Sequence, residues 1–123
     1  LTGAQFLFYP TAIGYQESDR AESAHQIAAW ETVQKSHAIS NGLFVASVNR
    51  CGKEDDLTFW GRSFVCNPFG KVLKQADENE AQIIIASCSL PEIESTRQNW
   101  PFLRDRRIDT YQNLNKLFLD SDE

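Results

Sequence analysis

Methionine is absent from all 123 residues, and the chain begins at Leu1. A complete translation product carries an initiator, so the expectation is a processed or fragmentary chain. Cysteine is scarce. Cys51, Cys66 and Cys88 are odd in number, and no two lie within four residues of each other. That excludes C-x-x-C redox chemistry and the ligand spacing of zinc sites, so no metal site is expected. The thiols read as reduced side chains of a cytosolic protein. The sharper alternative is Cys51 as a nucleophile, because Arg50 and Gly52 flank it and favour a thiolate. Basic charge is also in deficit, with 12 Lys and Arg against 17 Asp and Glu and a net charge of −5. The acids gather at Glu54-Asp55-Asp56, at Asp77-Glu78-Asn79-Glu80 and at Asp120, Asp122 and Glu123. Such a surface argues against nucleic acid and against an anionic membrane as partner. No apolar run approaches the roughly 18 residues of a membrane span. No charged-then-apolar start resembles a signal peptide. The G-x-S-x-G, H-E-x-x-H and P-loop motifs are all missing. Composition identifies no catalytic apparatus and calls for no cofactor.

Aromatics are plentiful, with 8 Phe, 3 Trp and 3 Tyr, enough to supply the bulk of a core. A chain of this length is one domain or a large piece of one. Leu1-Thr2-Gly3-Ala4-Gln5 reads as the end of a helix with Gly3 as its C-cap. Phe6-Leu7-Phe8-Tyr9 is an apolar run stopped by Pro10, the pattern of a strand buried on both faces. Asp19 with Glu22, or Ser23 with Gln26, offers a capping box. Ile27, Trp30, Val33 and His37 then recur at helical spacing, and Asn41-Gly42 stops the helix. Residues 43–48 and 58–66 read as strands, joined by a polar loop around Gly52 and the acidic run. Asn67-Pro68-Phe69-Gly70 is a turn, with 71–75 returning as a hairpin partner. Residues 81–88, centred on Ile83-Ile84-Ile85, read as a further strand. Pro91 opens a short helix and Trp100-Pro101 breaks it. Ile108, Tyr111, Leu114 and Phe118 outline a last helical stretch. The order is strand, helix, four strands and a tail, an α+β or layered α/β pattern. One helix cannot cover both faces of a five-strand sheet, so apolar surface stays bare without further elements.

Phe8-Tyr9-Pro10-Thr11-Ala12-Ile13-Gly14 leads from the first strand into a loop. In layered α/β folds the C-terminal ends of strands hold the site. A strand ending in Pro, Thr and Gly places backbone groups and one hydroxyl at that edge, although an ordinary strand-end turn uses the same residues. His25 and His37 stand about 120° apart round a helix and form no ligand pair. Trp30 reads as core or as an interface anchor. Arg50, at a strand end, suits either bidentate binding of a carboxylate or a structural ion pair. Arg104-Asp105-Arg106-Arg107 points to salt bridges that fix the tail to the body or to a second subunit.

These segments, in this order, carry a resemblance. They are Phe8-Tyr9-Pro10-Thr11-Ala12-Ile13-Gly14, Trp30 with residues 33–42, Val48-Asn49-Arg50-Cys51-Gly52, and Phe59-Trp60-Gly61-Arg62-Ser63-Phe64-Val65. Pro68-Phe69-Gly70 and Trp100-Pro101-Phe102-Leu103-Arg104-Asp105-Arg106-Arg107 complete the series. Over almost the whole chain it resembles the C-terminal half of nitrilase-superfamily carbon–nitrogen hydrolases, in the N-carbamoylputrescine amidase and β-ureidopropionase branches. The resemblance implies an α/β chain that forms the C-terminal half of an α-β-β-α sandwich. It implies residues 1–123 as the C-terminal part of a single domain, in a cytoplasmic homodimer or higher homo-oligomer. It implies a Cys nucleophile, a Glu base and a Lys, all expected upstream of Leu1, so Cys51, Cys66 and Cys88 inherit no role. This chain alone is then inactive. What carries over is a pocket wall for a small carbamoyl amine or amide: Thr11 as polar contact, Tyr9, Pro10, Ala12 and Ile13 as lining, and Glu17 facing a substrate amine. A surface role for Glu17 is the alternative. Trp30, His37, Arg104 and Arg107 are the implied interface residues. The competing functions are a β-ureidopropionase or nitrilase of the same fold, and a non-catalytic truncated chain.

Overall fold

The structure is a computed structural model that describes residues 2–119. Leu1 and the tail acids Asp120, Asp122 and Glu123 lie outside the described residues. Among the described residues, seven strands form two sheets, accompanied by one long and one short helix. The strands are β1 (Phe6–Thr11), β2 (Gly14–Gln16), β3 (Phe44–Asn49), β4 (Cys51–Glu54), β5 (Leu57–Trp60), β6 (Phe64–Cys66) and β7 (Val72–Gln75). The helices are α1 (Ser23–Asn41) and α2 (Pro91–Asn99), with short 3-10 turns at Glu17–Asp19 and Ile108–Thr110. One sheet has the order β1-β3-β6-β7 and the other β2-β5-β4.

β1 and β3 are parallel, in register from Phe6 opposite Phe44 to Thr11 opposite Asn49. A parallel pair needs a crossover, and α1 lies within it. β1 runs through Pro10, which the apolar run placed at its end. Within this chain β1 is an edge strand, and an edge tolerates a residue without an N–H. Nor is β1 buried on both faces: Leu7 and Tyr9 pack towards the core, while Phe8, on the face away from it, is 68% exposed. No helix precedes β1 among the described residues, although Gly3 has the positive φ of a C-cap glycine.

The core lies between α1 and the larger sheet. Trp30, Ala38, Leu43, Val45, Trp60, Phe64 and Cys66 form it. Trp30 meets Trp60 and Phe64 edge-on, at centroid distances of 6.0 and 5.8 Å, the geometry that aromatic quadrupoles favour. Trp30 is therefore a core residue of this chain. The buried stripe of α1 is Trp30, Gln34 and Ala38, with Ile27 half-buried. Val33 and His37 are turned out to its flank. Reading only apolar residues rotated the face, because Gln34 is buried with its amide donating to Trp30 O at 3.0 Å. Neither capping box forms: Glu22 holds the N-cap position, and Ser23 Oγ donates back to Arg20 O. Gly42 ends the helix, as expected.

The polar loop expected around Gly52 is a hairpin, with β4 antiparallel to β5. Its polar sequence hides the strand because both faces are largely exposed. The single strand expected over 58–66 is two, and they belong to different sheets. Gly61 and Arg62 break it with successive left-handed φ values of 58° and 55°. A Cβ at Gly61 would lie 2.8 Å from Glu78 O, so glycine is required there.

The Arg62 conformation is held from its side chain. Nε donates to Glu31 of α1 and Nη1 to Glu78, each at 2.7 Å. Glu31 also accepts from Lys35 and Gln75. Burial pushes the Glu31 carboxyl up. The hydrogen bond and charge of Arg62, then those of Lys35, outweigh burial and hold it below the usual carboxylate range. A depressed folded value means stability that is present above the ordinary carboxylate pKa and lost as pH falls through the folded one. Glu31→Gln should cost about 1–2 kcal/mol at neutral pH and flatten the acid limb of the unfolding-midpoint-versus-pH curve. An unchanged acid limb would contradict this.

Of four further expectations, two are met and two are not. The turn at 67–70 forms, with Gly70 N–H donating to Asn67 O at 2.8 Å, and β7 returns from it. The helix opened by Pro91 forms and ends at Trp100. Residues 81–88 form no strand: they have no pairing partner, and Ile83 and Ile85 are 93% and 84% exposed. The last helical stretch reduces to the 3-10 turn at Ile108–Thr110, with Leu114 and Phe118 exposed. Helical spacing without a surface to pack against does not hold so short a helix. Phe8 and Val48 also stay bare, as one helix against so many strands implies.

A candidate active-site wall at the end of the parallel strands

Thr11 closes β1 beside Asn49, which closes β3. Parallel pairing brings the two C-terminal strand ends together. The chain then crosses in two residues, Ala12 and Ile13, to Gly14, which starts β2 in the other sheet. Asn49 is 7% exposed and its side chain clamps this crossing. Asn49 Oδ1 accepts the Ile13 N–H at 2.9 Å, and Asn49 Nδ2 donates to Ile13 O at 3.1 Å. Thr11 Oγ1 donates to the same Oδ1 at 3.0 Å. Ser63 accepts the Asn49 N–H at 2.9 Å and donates to Asn49 O at 3.3 Å. Arg50 N–H donates to Thr11 O. A buried amide pairing with the same backbone segment through both its oxygen and its nitrogen fixes a loop in one conformation.

Of the residues the sequence nominates, the structure groups Thr11 and Ile13 around Asn49. Ala12 and Ile13 are exposed at the crossing. Tyr9 lies on the α1 side, its ring stacked on His37 at 5.9 Å, and Pro10 points to the opposite face by strand alternation. Glu17 lies beyond β2 in the first 3-10 turn, exposed, and accepts from Arg20 at 2.9 Å. Its N–H donates to Asp56 O. Sequence reading named Asn49 only as part of a motif and missed its role, because the Thr11–Asn49 register is a property of the pairing.

Beside Asn49 lies a cavity of about 340 Å³, lined by Arg50, Cys51, Ser63, Asp77 and Glu80 among others. The Arg50 guanidinium sits 4.2 Å over the Phe59 ring and pairs with Glu54 at 2.5 Å. Arg50 is thus in the structural ion pair that was one of its two readings. Cys66 is fully buried, and burial pushes its thiol up despite the hydrogen bond with Val45 and the charge of Lys35. Burial and then Glu92 push the Cys88 thiol up as well. Neither is an activated thiolate. A larger groove of about 650 Å³ runs along the outer face of α1 against Phe102, Leu103 and Arg106. It holds no nucleophile with a neighbouring base, so its size does not make it the site. Arg104 and Arg107 pair with their near neighbours Asp105 and Asp109. They do not fix the tail to the body.

Residues 1–98 match the family model of carbon-nitrogen hydrolases. The chain is 37% identical over 131 residues to an N-carbamoylputrescine amidase of Oryza sativa subsp. japonica, covering 100% of this chain and 42% of that protein. It superimposes on the crystal structure of a carbon-nitrogen hydrolase from Helicobacter pylori G27 with a TM-score of 0.91 and 44% identity, over 95% of this chain and 43% of that one. A nitrilase-superfamily amidase from Nesterenkonia sp. AN1 aligns with a TM-score of 0.60 and 25% identity, over 90% of this chain and 35% of that one. That structure is of a mutant and shows covalent addition of the acetamide moiety of fluoroacetamide at the active-site cysteine. The chain spans about two-fifths of the length of the curated relatives it matches. By its α/β fold, its family match and its structural neighbours, this chain belongs to the carbon-nitrogen hydrolase family of the nitrilase superfamily.

Proposed function

We propose that this chain is the scaffold and one pocket wall of a thiol amidohydrolase that cleaves a non-peptide C–N bond. The substrate is N-carbamoylputrescine, and the products are putrescine, CO2 and ammonia. The observation that carries the reading is Thr11, held by a buried Asn49 at the open end of the parallel strands, in a chain similar to N-carbamoylputrescine amidases. A Glu, a Lys and a Cys supplied by polypeptide outside this chain complete the site. The Cys thiol attacks the carbamoyl carbon as its proton passes to the Glu. An amine leaves with that proton, and a water deprotonated by the same Glu cleaves the thioester. The Lys and a backbone N–H stabilise the oxyanion. The covalent adduct of the Nesterenkonia amidase supports a cysteine route. The bare side chains of Phe8, Val48, Ile83 and Ile85 support burial against additional polypeptide. The exposed apolar tail from Trp100 supports assembly as a homo-oligomer, which we place in the cytoplasm.

A second reading keeps the fold and changes the substrate to β-ureidopropionate. The observation for it is Arg20, bonded to Glu17 in the loop after β2: the loop offers an acid for an amine and a guanidinium for a carboxylate. A substrate panel with the complete polypeptide decides. N-carbamoylputrescine is expected to exceed β-ureidopropionate in kcat/KM by about tenfold or more, since an exposed charge of the wrong sign costs about 1 kcal/mol and its unpaired partner adds to that. The reverse order would establish the second reading.

A further inference from the structure

We infer that Asn49 and Ser63 are positioning residues for the proposed reaction: the Asn49 carboxamide, seated by the Ser63 hydroxyl, holds the Ala12–Ile13 crossing in the conformation that supports turnover. The inference rests on the amidohydrolase reading above, which makes that crossing part of the pocket wall. It names the residues that shape the wall without touching the substrate.

The crossing leaves one sheet for the other within two residues, Ala12 and Ile13, and Ile13 belongs to no strand pair. The Asn49 side chain takes the place of a neighbouring strand. Its Oδ1 accepts the Ile13 N–H at 2.9 Å, and its Nδ2 donates to Ile13 O at 3.1 Å. A planar carboxamide carries the required acceptor and donor together, whereas an ionised carboxylate has acceptors alone. Ser63 acts on Asn49 in the same way. The β3–β6 ladder pairs Val45 with Cys66, Ala46 with Val65 and Ser47 with Phe64. It goes no further, because the chain before Ser63 has left-handed backbone at Gly61 and Arg62 and comes from the other sheet. Beyond the last pair, Ser63 Oγ accepts the Asn49 N–H at 2.9 Å and donates to Asn49 O at 3.3 Å. A hydroxyl therefore continues the ladder that the backbone abandons. Arg62, bonded to Glu31 and Glu78, holds that hydroxyl in place. Asn49 and Ser63 both line the cavity of about 340 Å³. Cutting either contact admits water to the freed backbone groups, which loosens the crossing and leaves the core of Trp30, Val45 and Phe64 packed.

Asn49→Asp in the complete polypeptide tests this by pH, since the change keeps the shape of the side chain. A protonated carboxyl keeps a donor and an acceptor and preserves the clamp, whereas an ionised one sets charge against Ile13 O. Burial raises the pKa of the new carboxyl. Asp77 and Glu80 of the adjoining cavity raise it too, Arg50 lowers it, and Cys51 is the remaining titratable neighbour there. The ratio of variant to wild-type kcat for N-carbamoylputrescine should be close to one near about pH 5. It should fall by about 10- to 100-fold by about pH 8, the scale of a misplaced pocket wall. Ser63→Ala should lower kcat by about tenfold, and Ser63→Thr, which keeps the hydroxyl, should stay within about threefold of wild type. Unfolding midpoints above the assay temperature show that each variant is folded, and the Ser63 pair decides if the Asn49 variant is not. A kcat ratio that stays flat or rises with pH in folded protein would reduce Asn49 to packing and overturn the inference. Equal losses for the two Ser63 variants would overturn it too. Wild-type protein that leaves N-carbamoylputrescine intact would sink the amidohydrolase reading, and the inference with it.

Discussion

Replacing Phe64 by alanine is expected to cost about 3–5 kcal/mol of stability, the range for deleting a buried aromatic ring from a packed core. Phe64 is fully buried and sits in β6 between the strands that carry Ser47 and Gln75. Trp30 meets its ring at 89°, and the Lys35 ammonium lies 5.7 Å from its centroid. Truncation forfeits the transfer of the ring from water and leaves a void. Trp30 cannot fill that void without also leaving Trp60. The effect reaches the candidate site, because Phe64 follows Ser63, which holds Asn49. Denaturant unfolding of the complete polypeptide should show the lower midpoint. A loss below about 1 kcal/mol would mean that the core collapses around the change.

Gly14→Ala should be comparably disruptive for a different reason. A Cβ at Gly14 would stand 2.3 Å from Thr58 O and 2.8 Å from its carbonyl carbon. Both are backbone atoms of the strand to which β2 pairs, so no side chain can move aside. Relief requires opening the β2–β5 pair or shifting the Ala12-Ile13 crossing that Asn49 clamps. Overpacking of this kind costs about 1–3 kcal/mol and more where backbone must move. Activity should fall with it, since the displaced segment carries the proposed pocket wall. Retention of both wild-type stability and wild-type turnover would contradict the geometry drawn for this crossing.

The elements legible in the sequence carry local signals. Asn41-Gly42 ends a helix, Pro-Phe-Gly makes the 67–70 turn, Pro91 opens a helix, and 43–48 reads as a strand because β3 is buried almost throughout. The elements misread depend on partners distant in the chain. β4 is polar and becomes a strand only by pairing with β5. Residues 58–66 break because Gly61 and Arg62 adopt left-handed backbone held by Glu31, thirty-one positions from Arg62. Gln34 enters the core by bonding its own helix, which rotates the buried face away from Val33 and His37. Residues 81–88 carry the isoleucine run of a strand and, among the described residues, have no strand to pair with. The same division holds at the candidate site. Thr11 was visible as a hydroxyl at a strand end, whereas the buried Asn49 that orients it becomes visible once β1 and β3 are set in register.

Ammonia release from N-carbamoylputrescine by the complete polypeptide, with the proposed nucleophilic cysteine intact or changed to alanine, tests the central claim most directly. The account predicts release with the thiol present and none without it. Undiminished release from the alanine protein, or from these 123 residues alone, would contradict it.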